Sequence, residues 1–588
     1  MSQRTVEIIA EIANAHQGDP EKAYELAKAG LSAGADAVKF QIYSAGELLV
    51  RKHPRYEHFR KQSFSPETWG DLLARVIAGG GRVYCDVFGL EAMKIASAAG
   101  GHGYKVHSSD LGNIPLLEAV ALTKKKVLLA VGGSTVREIA HAVRIVRSQG
   151  GETRPVLLHG FQSYPTAVED ACLSRLAWLR DIFGDHCDIG YMDHVDGEDP
   201  FSLTLPLLAL GMGARVLEKH LTLDRAARGV DYYSSLNPEE FARFVEIVRR
   251  AEKAVGLSPE AFAASEREYR RQVKKHWVAN QRLEKGHVLG SGDLVMKRVS
   301  DHPAETVEMG RLVGRSLLRD CEEEAPLVLA DVPQRVWALV VARMRSRRLP
   351  SKAVLEVAGM PALQHLLERL KQAQTVERIV LCTTTEPEDD RLVKLAADTG
   401  VAWHRGPTED VLGRMLGALG GQEADIVLRV TGDDILVDPD YVDHAVKHHL
   451  AVNAEYTDLK ALPSGTEVEV FDVALLRDLW KVAKDSGGTE YLTTYVVRHK
   501  DHFRTSSAPV KERHALPWRL TLDTLEDYQV ICRFIESMKA QGKGLTYRLD
   551  DIVDYFTGHP EVLAINAEVR QRQTPLEVCT DLDWRSLL

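Results

Sequence analysis

The sequence predicts an α/β protein of three parts: an N-terminal (β/α)8 TIM barrel, a small β-rich domain, and a C-terminal Rossmann-like open-sheet domain. Three observations carry this. Eight short apolar runs alternate with amphipathic helical stretches over residues 1–260. A glycine-punctuated segment with β-like runs and no helical period fills 270–330, and from 335 to 588 strand-like runs and helices alternate again.

The eight runs are "VEIIAEI", "DAVKFQI", "RVYCDVF", "YKVHSS", "KVLLAVG", "RPVLLHG", "DIGYMDH" and "RVLEKHL". They are too apolar to be strands with one wet face, so both faces are covered and the sheet is parallel. Eight β-then-α units favour a closed barrel, with a doubly wound open sheet as the alternative for that count. Helical stretches such as "PEKAYELAKAGLSAG" and "PEEFARFVEIVRRAEKAVG" supply the outer layer. In a barrel, polar residues at the C-terminal ends of strands line the active-site mouth. Here those ends carry Glu11, Lys39, Gln41, Asp86 and Lys105, then Ser108, His159, His194 and His220. Such a charged ring is costly to bury without a purpose. A single strand-end histidine reads as structural, but "GYMDHV" and "RVLEKHLTLD" place two of them one βα unit apart, as a ligand pair.

A charged helical connector, "PEAFAASEREYRRQ", follows the barrel. The next segment, "HWVANQRLEKGHVLGSGDLVMKRVS" with "MGRLVGRSLLRDCEEEAPLVLADV", has the short runs and glycine turns of a small β domain. In the third part "VWALVVARM", "ERIVLCTTT", "DIVLRVTGDD", "EVEVFD" and "WRLTLDT" read as strands of an open sheet with ligands at their ends. There is no internal repeat.

The chain has 588 residues, with 84 acidic and 74 basic side chains. That balance argues against a nucleic-acid-coating surface, while leaving room for local basic pockets. The seven cysteines are scattered without a CxxC pair, and read as free thiols in a reducing compartment. No apolar stretch approaches membrane-span length and the start lacks a signal-peptide layout, so a cytoplasmic protein without membrane contact is expected.

The motifs "AEIANAHQGD", "AGADAVKFQ", "YKVHSSDLGNIPLL", "LLHGFQSYPT", "GYMDH" and "EKHLTLDRAARGVDYYSSLNPEE" resemble, in order, those of the sialic acid (nonulosonic acid) synthases. The small β domain resembles the antifreeze-like (SAF) domain that closes that family. The resemblance implies condensation of phosphoenolpyruvate with an N-acylated hexosamine-type aldose to a 2-keto-3-deoxy sugar acid. It implies Mn²⁺ or Mg²⁺ on His194 and His220, the remaining shell being water and substrate. It gives Glu11 a role in sugar positioning or proton handling, and places Lys39, Gln41, Lys105 and Ser108 on phosphoenolpyruvate. Asp110 and Asp231 match sugar-hydroxyl contacts, and Tyr164 lines the same mouth. For Lys39 and Lys105 the other reading is ion pairing with neighbouring barrel carboxylates, and Glu218 and Lys219 read as one such pair. The resemblance further implies a homodimer whose small domain covers the partner's barrel, with Arg298 reaching the sugar.

Several positions depart from that family. Small hydroxyl residues are replaced by Asp86, Ala130 and Met192, an asparagine-like residue by Gln162, and a glycine by His107. An aspartate at 86 repels the donor's carboxylate unless it is paired or protonated, so the three-carbon donor either sits differently or is another molecule unless one of those conditions holds.

"ARMRSRRLPSKAVLEVAGMPALQHLLERL", "HRGPTEDVLGRML", "RVTGDDILVDPD", "SGTEVEVF" and "LTLDTLEDYQVI" resemble the sugar-acid cytidylyltransferases of the spore-coat polysaccharide and 3-deoxy-manno-octulosonate types. A strand followed by a basic loop suits a triphosphate, with Arg343, Arg348 and Lys352 supplying charge. Asp433 and Asp523 are the expected Mg²⁺ carboxylates for transfer from CTP. Two loop glycines of that family are Arg345 and Ser351 here; Arg345 lacks glycine's backbone freedom but can clamp phosphate. The expectation is therefore a bifunctional enzyme that makes a sugar acid and joins it to CMP. The alternatives are a synthase with a degenerate cytidylyltransferase domain, or a non-catalytic sugar-binding or assembly scaffold.

Overall fold

A computed structural model describes residues 6–148, 154–161, 163, 165–256, 262–300, 302, 304–346, 348–421, 424–483, 492–569 and 582–587. The chain divides into two compact units, Met1–Pro259 and Glu260–Leu588.

In the first unit the eight apolar runs become β1 (Glu7–Ala13), β2 (Ala37–Ile42), β3 (Val83–Val87), β4 (Gly103–Val106), β5 (Lys126–Ala130), β6 (Val156–His159), β7 (Asp188–Asp193) and β8 (Val216–Leu221). Each pairs in parallel with the next, and β1 pairs with β8, so the sheet closes as expected. A short strand, β9 (Ser235–Leu236), extends it beside β8. Side chains alternate between two destinations along every strand. Ile8, Ala10, Val38, Phe40, Leu157 and Leu217 belong to the large core beneath the helices. Ile9, Ala37, Leu128, Leu158, Met192 and Val216 form a separate cluster inside the barrel. At the floor of the barrel Glu7 accepts hydrogen bonds from Tyr84 and Arg82 and pairs with Lys126. Gly103 makes room for that floor: a Cβ on it would lie 2.8 Å from the Tyr84 ring.

In the second unit β10 (Lys275–Ala279) and β11 (Leu294–Arg298) pair antiparallel, around a small core that includes Leu283, Leu289, Leu312, Leu317 and Leu327. This is the β-rich segment predicted from the glycine turns. It is pinned to the domain that follows. Arg315 makes a two-pronged contact with Asp425 (3.0 and 2.6 Å), Arg311 pairs with Asp472, and Asn453 bonds both the Leu329 N–H and the Glu305 carbonyl at 2.7 Å.

That domain begins with β12 (Val336–Val341), followed by the hairpin β13 (Glu356–Val357) and β14 (Met360–Pro361). Next come β15 (Arg378–Thr384), β16 (Ala402–Gly406), β17 (Ile426–Thr431), β18 (Tyr456–Asp458), β19 (Glu469–Asp472) and β20 (Thr505–Ser507). Its main sheet runs β16-β15-β12-β17-β19-β18-β20, parallel from β16 to β17 and antiparallel at β19. The chain moves from β12 outward through β15 to β16 and returns to the other side of β12 as β17. That reversal opens a crevice at the carboxyl ends of β12 and β17, where open α/β sheets bind ligands.

Candidate active sites

The barrel site follows from the two-residue period. On β8 the inward series is Val216, Glu218, His220, and on β7 it is Gly190, Met192, His194, with Met192 opposite Glu218 in register. The two histidines therefore rise side by side at the mouth, their ring centroids 5.1 Å apart. His194 is fixed by its own carbonyl, which accepts from the Thr166 N–H at 2.9 Å and the Ser234 hydroxyl at 2.7 Å. Burial, helped by the Lys105 charge, pushes the His194 imidazole down to about 3, and burial beside His194 holds His220 well below its ordinary range. Both rings are neutral, the form that ligates a cation.

Below them lies a buried layer of two ammonium groups and three carboxylates. Lys39 pairs with Glu11 and lies 3.4 Å from Asp86 and 3.3 Å from Glu218. Lys105 is 2.7 Å from Glu218 and 3.6 Å from Asp86. Burial raises Glu11 to about 7 despite Lys39, with Glu218 adding to the rise. At Glu218 the penalty of burial is outweighed by Lys105 and Lys39, which hold the carboxyl below its usual range. Burial opposes charge on Lys39 too, yet Glu11, Glu218 and Asp86 keep it firmly protonated. The expected repulsion from Asp86 is met by pairing, since both lysines face it.

Other expected residues gather around this layer. Gln41 accepts from the Asn14 amide at 3.3 Å, and Tyr43 donates to the same Asn14 at 2.7 Å. Asp231, raised by burial, sits beside the Asn14 N–H. Ser108 and Asp110 form the turn after β4, where Asp110 accepts from Ser109 (2.9 Å) and Asn113 (3.0 Å). Tyr164 and Gln162 lie outside the described residues.

Two readings need correction. His159 does not join the mouth: on β6 it falls on the helix side, and its Nε2 contacts the Ala171 carbonyl at 2.9 Å. Glu218 and Lys219 are not a pair, because neighbours on a strand face opposite ways. Glu218 belongs to the site, while Lys219 pairs behind the wall with Asp193 at 2.6 Å. Glu218, Asn14 and Tyr43 were missed as site residues; counting by twos back from His220 finds the first. Lys219 and Asp193 are 0% and 1% exposed, so removing one strands the other's charge. Lys219→Met should therefore cost about 3–5 kcal/mol. A urea-denaturation midpoint equal to wild type would remove that pair from the account of barrel stability.

The second site is built on the crevice beside β12. The loop after β12 is moored by Asp389, which accepts from the Met344 N–H at 2.7 Å and from Thr383 and Thr384 on β15. It brings Arg348 and Lys352 to the acids beyond β17, while Arg343 lies near the Arg414 guanidinium. The Lys352 ammonium donates to Asp433 at 2.6 Å and Asp523 at 2.9 Å, and Arg348 also pairs with Asp523. Asp433 and Asp523 come together because the Leu522 N–H donates to the Asp433 carbonyl at 2.9 Å. The segment "WRLTLDT", expected as a strand, makes only a single bridge among the described residues, Arg519 with Ser464, and passes Gly465 so closely that a Cβ there would lie 2.4 Å from backbone atoms of Leu520 and Thr521. Asp527 backs the site, accepting from Arg519 at 2.9 Å and from the Asp523 N–H at 3.2 Å. Two more acids were missed. Asp434, in the doublet after β17, is raised to about 7 by burial next to Asp433. Glu467 is raised to about 8 by burial, with Asp434 beside it.

The departures at 345 and 351 resolve differently from expectation. Arg345 does not have a positive φ; Ser351 does, at 57°. Left-handed backbone costs a non-glycine residue roughly 1–2 kcal/mol, so the replacement at 351 is the one that carries strain. Arg345 is turned toward Glu386 (3.4 Å) and Glu388 (3.3 Å), away from the role of a phosphate clamp.

Both sites fit divalent cations by donor chemistry. Among the described residues no group of three or more His, Cys, Asp or Glu gathers to hold an ion. Ions here would rest on two protein donors plus water and substrate, two neutral imidazoles in the barrel and two carboxylates in the crevice. The hard oxygen pair suits Mg²⁺, and the imidazole pair suits Mn²⁺ as well.

A parallel barrel with a charged, buried mouth and an open sheet with paired aspartates at its reversal give one chain two candidate active sites, as in a bifunctional transferase. Family comparison agrees: the NeuB family profile matches residues 26–259, and the cytidylyltransferase profile matches 337–552. The chain thus belongs to the NeuB family of sialic acid synthases in its barrel half and carries a cytidylyltransferase domain in the other. An uncharacterized protein of Methanocaldococcus jannaschii is 33% identical over 317 residues, 54% of this chain and 91% of its own. A second from the same organism is 30% identical over 241 residues, 40% and 97% of the two chains. The N,N'-diacetyllegionaminic acid synthase of Campylobacter jejuni is 29% identical over 308 residues, 50% and 90%. No helix among the described residues is long and apolar enough to cross a membrane.

Proposed function

We propose that the chain makes a nonulosonic acid in its barrel and joins it to CMP in its second unit. What supports this most is that one chain carries two sites whose chemistries follow each other, a NeuB-type mouth and a cytidylyltransferase crevice. The curated relatives include legionaminic and pseudaminic acid synthases.

In the barrel, Lys39 and Lys105 offset the negative charge of phosphoenolpyruvate, and Gln41 and Ser108 orient it. The donor's C3 attacks the aldehyde carbon of an N-acylated hexosamine-type aldose, and the aldehyde oxygen takes a proton. Water adds to C2 with loss of a proton, the bond from C2 to the phosphate oxygen breaks, and a 2-keto acid and phosphate remain. Glu11 positions the sugar or handles its proton, Asp110 and Asp231 contact its hydroxyls, and Glu218 holds both lysines in place. His194 and His220 would hold Mn²⁺ or Mg²⁺, which would supply Lewis-acid stabilisation of the aldehyde oxygen. In the crevice, Arg343, Arg348 and Lys352 hold the triphosphate of CTP. The anomeric hydroxyl oxygen of the sugar acid attacks the α-phosphorus, its proton is lost, and pyrophosphate leaves. Asp433 and Asp523 would hold Mg²⁺, which would offset phosphate charge.

The test is mass spectrometry of products from phosphoenolpyruvate, CTP and a panel of six-carbon aldoses, each with and without a 6-phosphate. A CMP-sugar acid should form, with higher kcat/KM for the unphosphorylated aldose, because condensation is fused directly to activation. A clear preference for the 6-phosphate would overturn the substrate form, and no CMP product from any aldose would overturn the two-step reading.

The resemblance to the synthases also supports a homodimer in which Arg298, exposed at the end of β11, serves the partner's barrel. Reassociating inactive His220→Ala and Arg298→Ala chains should then restore roughly a quarter of wild-type sites by symmetry. No rescue after verified subunit exchange would defeat the crossing.

A further inference from the structure

We infer that a basic cavity in the second unit, bounded by the connector helix, the small β domain and the β20 edge, binds a phosphate-bearing anion separately from the Lys352 site. The cavity measures about 690 Å³ and shares no lining residue with that site. The connector helix, Ala264–Val273, carries Arg267, Arg270 and Arg271, and Lys274 follows it directly. These fall at i, i+3, i+4 and i+7, one face of a helix. From the other wall come Lys500 and Arg504, so six cations meet two lining carboxylates, Glu305 and Asp501. The chain as a whole carries a net charge of −10, which makes this local excess a built feature rather than a general property of the surface.

Part of the charge is structural. Arg267 grips Asp501 through two bonds (2.9 and 2.8 Å), and Arg270 reaches Glu305 at 3.0 Å. Arg504 pairs with Glu455 at 3.1 Å, and Arg271 with Glu268 at 2.7 Å. Those pairs position the walls. They leave Lys274 and Lys500, which make no ion pair among the described residues. His276 and His302 add imidazoles 5.1 Å apart, and Thr505 and Ser506 add hydroxyls. Several donors around a cavity within the usual 300–1,000 Å³ of small-molecule sites describe a receptor for an anion larger than one phosphate. Phe262 and Phe503 give it apolar wall, so either a nucleotide or an inorganic polyphosphate meets the chemistry.

Isothermal titration of the full-length protein in low-salt, metal-free buffer, with CMP and with pyrophosphate, tests this. Lys274 and Lys500 are exposed, so Lys274→Glu/Lys500→Glu changes charge without disturbing the core. Lys352→Ala separates the catalytic crevice. The wild type should bind at two sites. Lys352→Ala should keep one, with a ligand-dependent rise in Tm, and the double charge reversal should weaken that one at least tenfold. Tighter binding of CMP than of pyrophosphate identifies a nucleotide, and equal binding an inorganic polyphosphate. Loss of all binding in Lys352→Ala, or unchanged two-site binding in Lys274→Glu/Lys500→Glu, would overturn the inference.

Discussion

His194→Ala or His220→Ala should abolish release of phosphate from phosphoenolpyruvate while transfer of CMP to an added sugar acid continues. The two imidazoles are buried and neutral, and they stand side by side because adjacent strands end at the same height. Neither is needed to close the barrel, whose interior cluster lies below them. An alanine at either place removes one of the two imidazoles proposed to hold the cation, and losing one electrostatic contact to a developing oxyanion costs about 10²–10³-fold in rate. The loss here should be at least that large. The barrel and the cytidylyltransferase domain are separate compact units, so the second reaction serves as an internal control for folding. Wild-type phosphate release by either variant in the presence of chelator would show the metal assignment to be wrong.

The mirror experiment acts on the other unit. Asp433→Asn and Asp523→Asn preserve shape and remove one negative charge each. Both carboxylates share the Lys352 ammonium, and Arg348 and Arg519 also face Asp523. With either charge gone, a cation meets a site already rich in ammonium and guanidinium, and phosphate charge goes unneutralised. Pyrophosphate release should fall by on the order of 10²–10³-fold, while condensation in the barrel is unaffected. If neither variant loses pyrophosphate release, these aspartates do not have the proposed role.

Much of this was legible in the chain itself. Apolar runs such as "VEIIAEI" and "DAVKFQI" announce strands covered on both faces, and their number announces closure. The sequence by itself also determined which polar side chains lie toward the strand ends, because hydrophobic content marks each strand: Lys39, Lys105 and His220 fall within β2, β4 and β8, and His194 directly follows β7. The roles proposed for them came from the resemblance to the synthases.

Only the tertiary structure decided direction and partnership. His159 looks like a mouth residue by position, and the two-residue alternation turns it toward the helices on β6, as on β8 it turns Lys219 away from Glu218. Glu218 looked like the partner of its neighbour and instead joins two lysines from β2 and β4, distant in sequence. Asp86, a source of repulsion when read alone, faces the same two lysines, at 3.4 and 3.6 Å. In the second unit Ser351, not Arg345, takes the left-handed backbone, since a loop's dihedrals depend on where both its ends are anchored. The physical reason is common to all of these. Local sequence determines which segments extend and which coil, but a buried charge finds its partner across strands, and that distance is set only when the sheet closes.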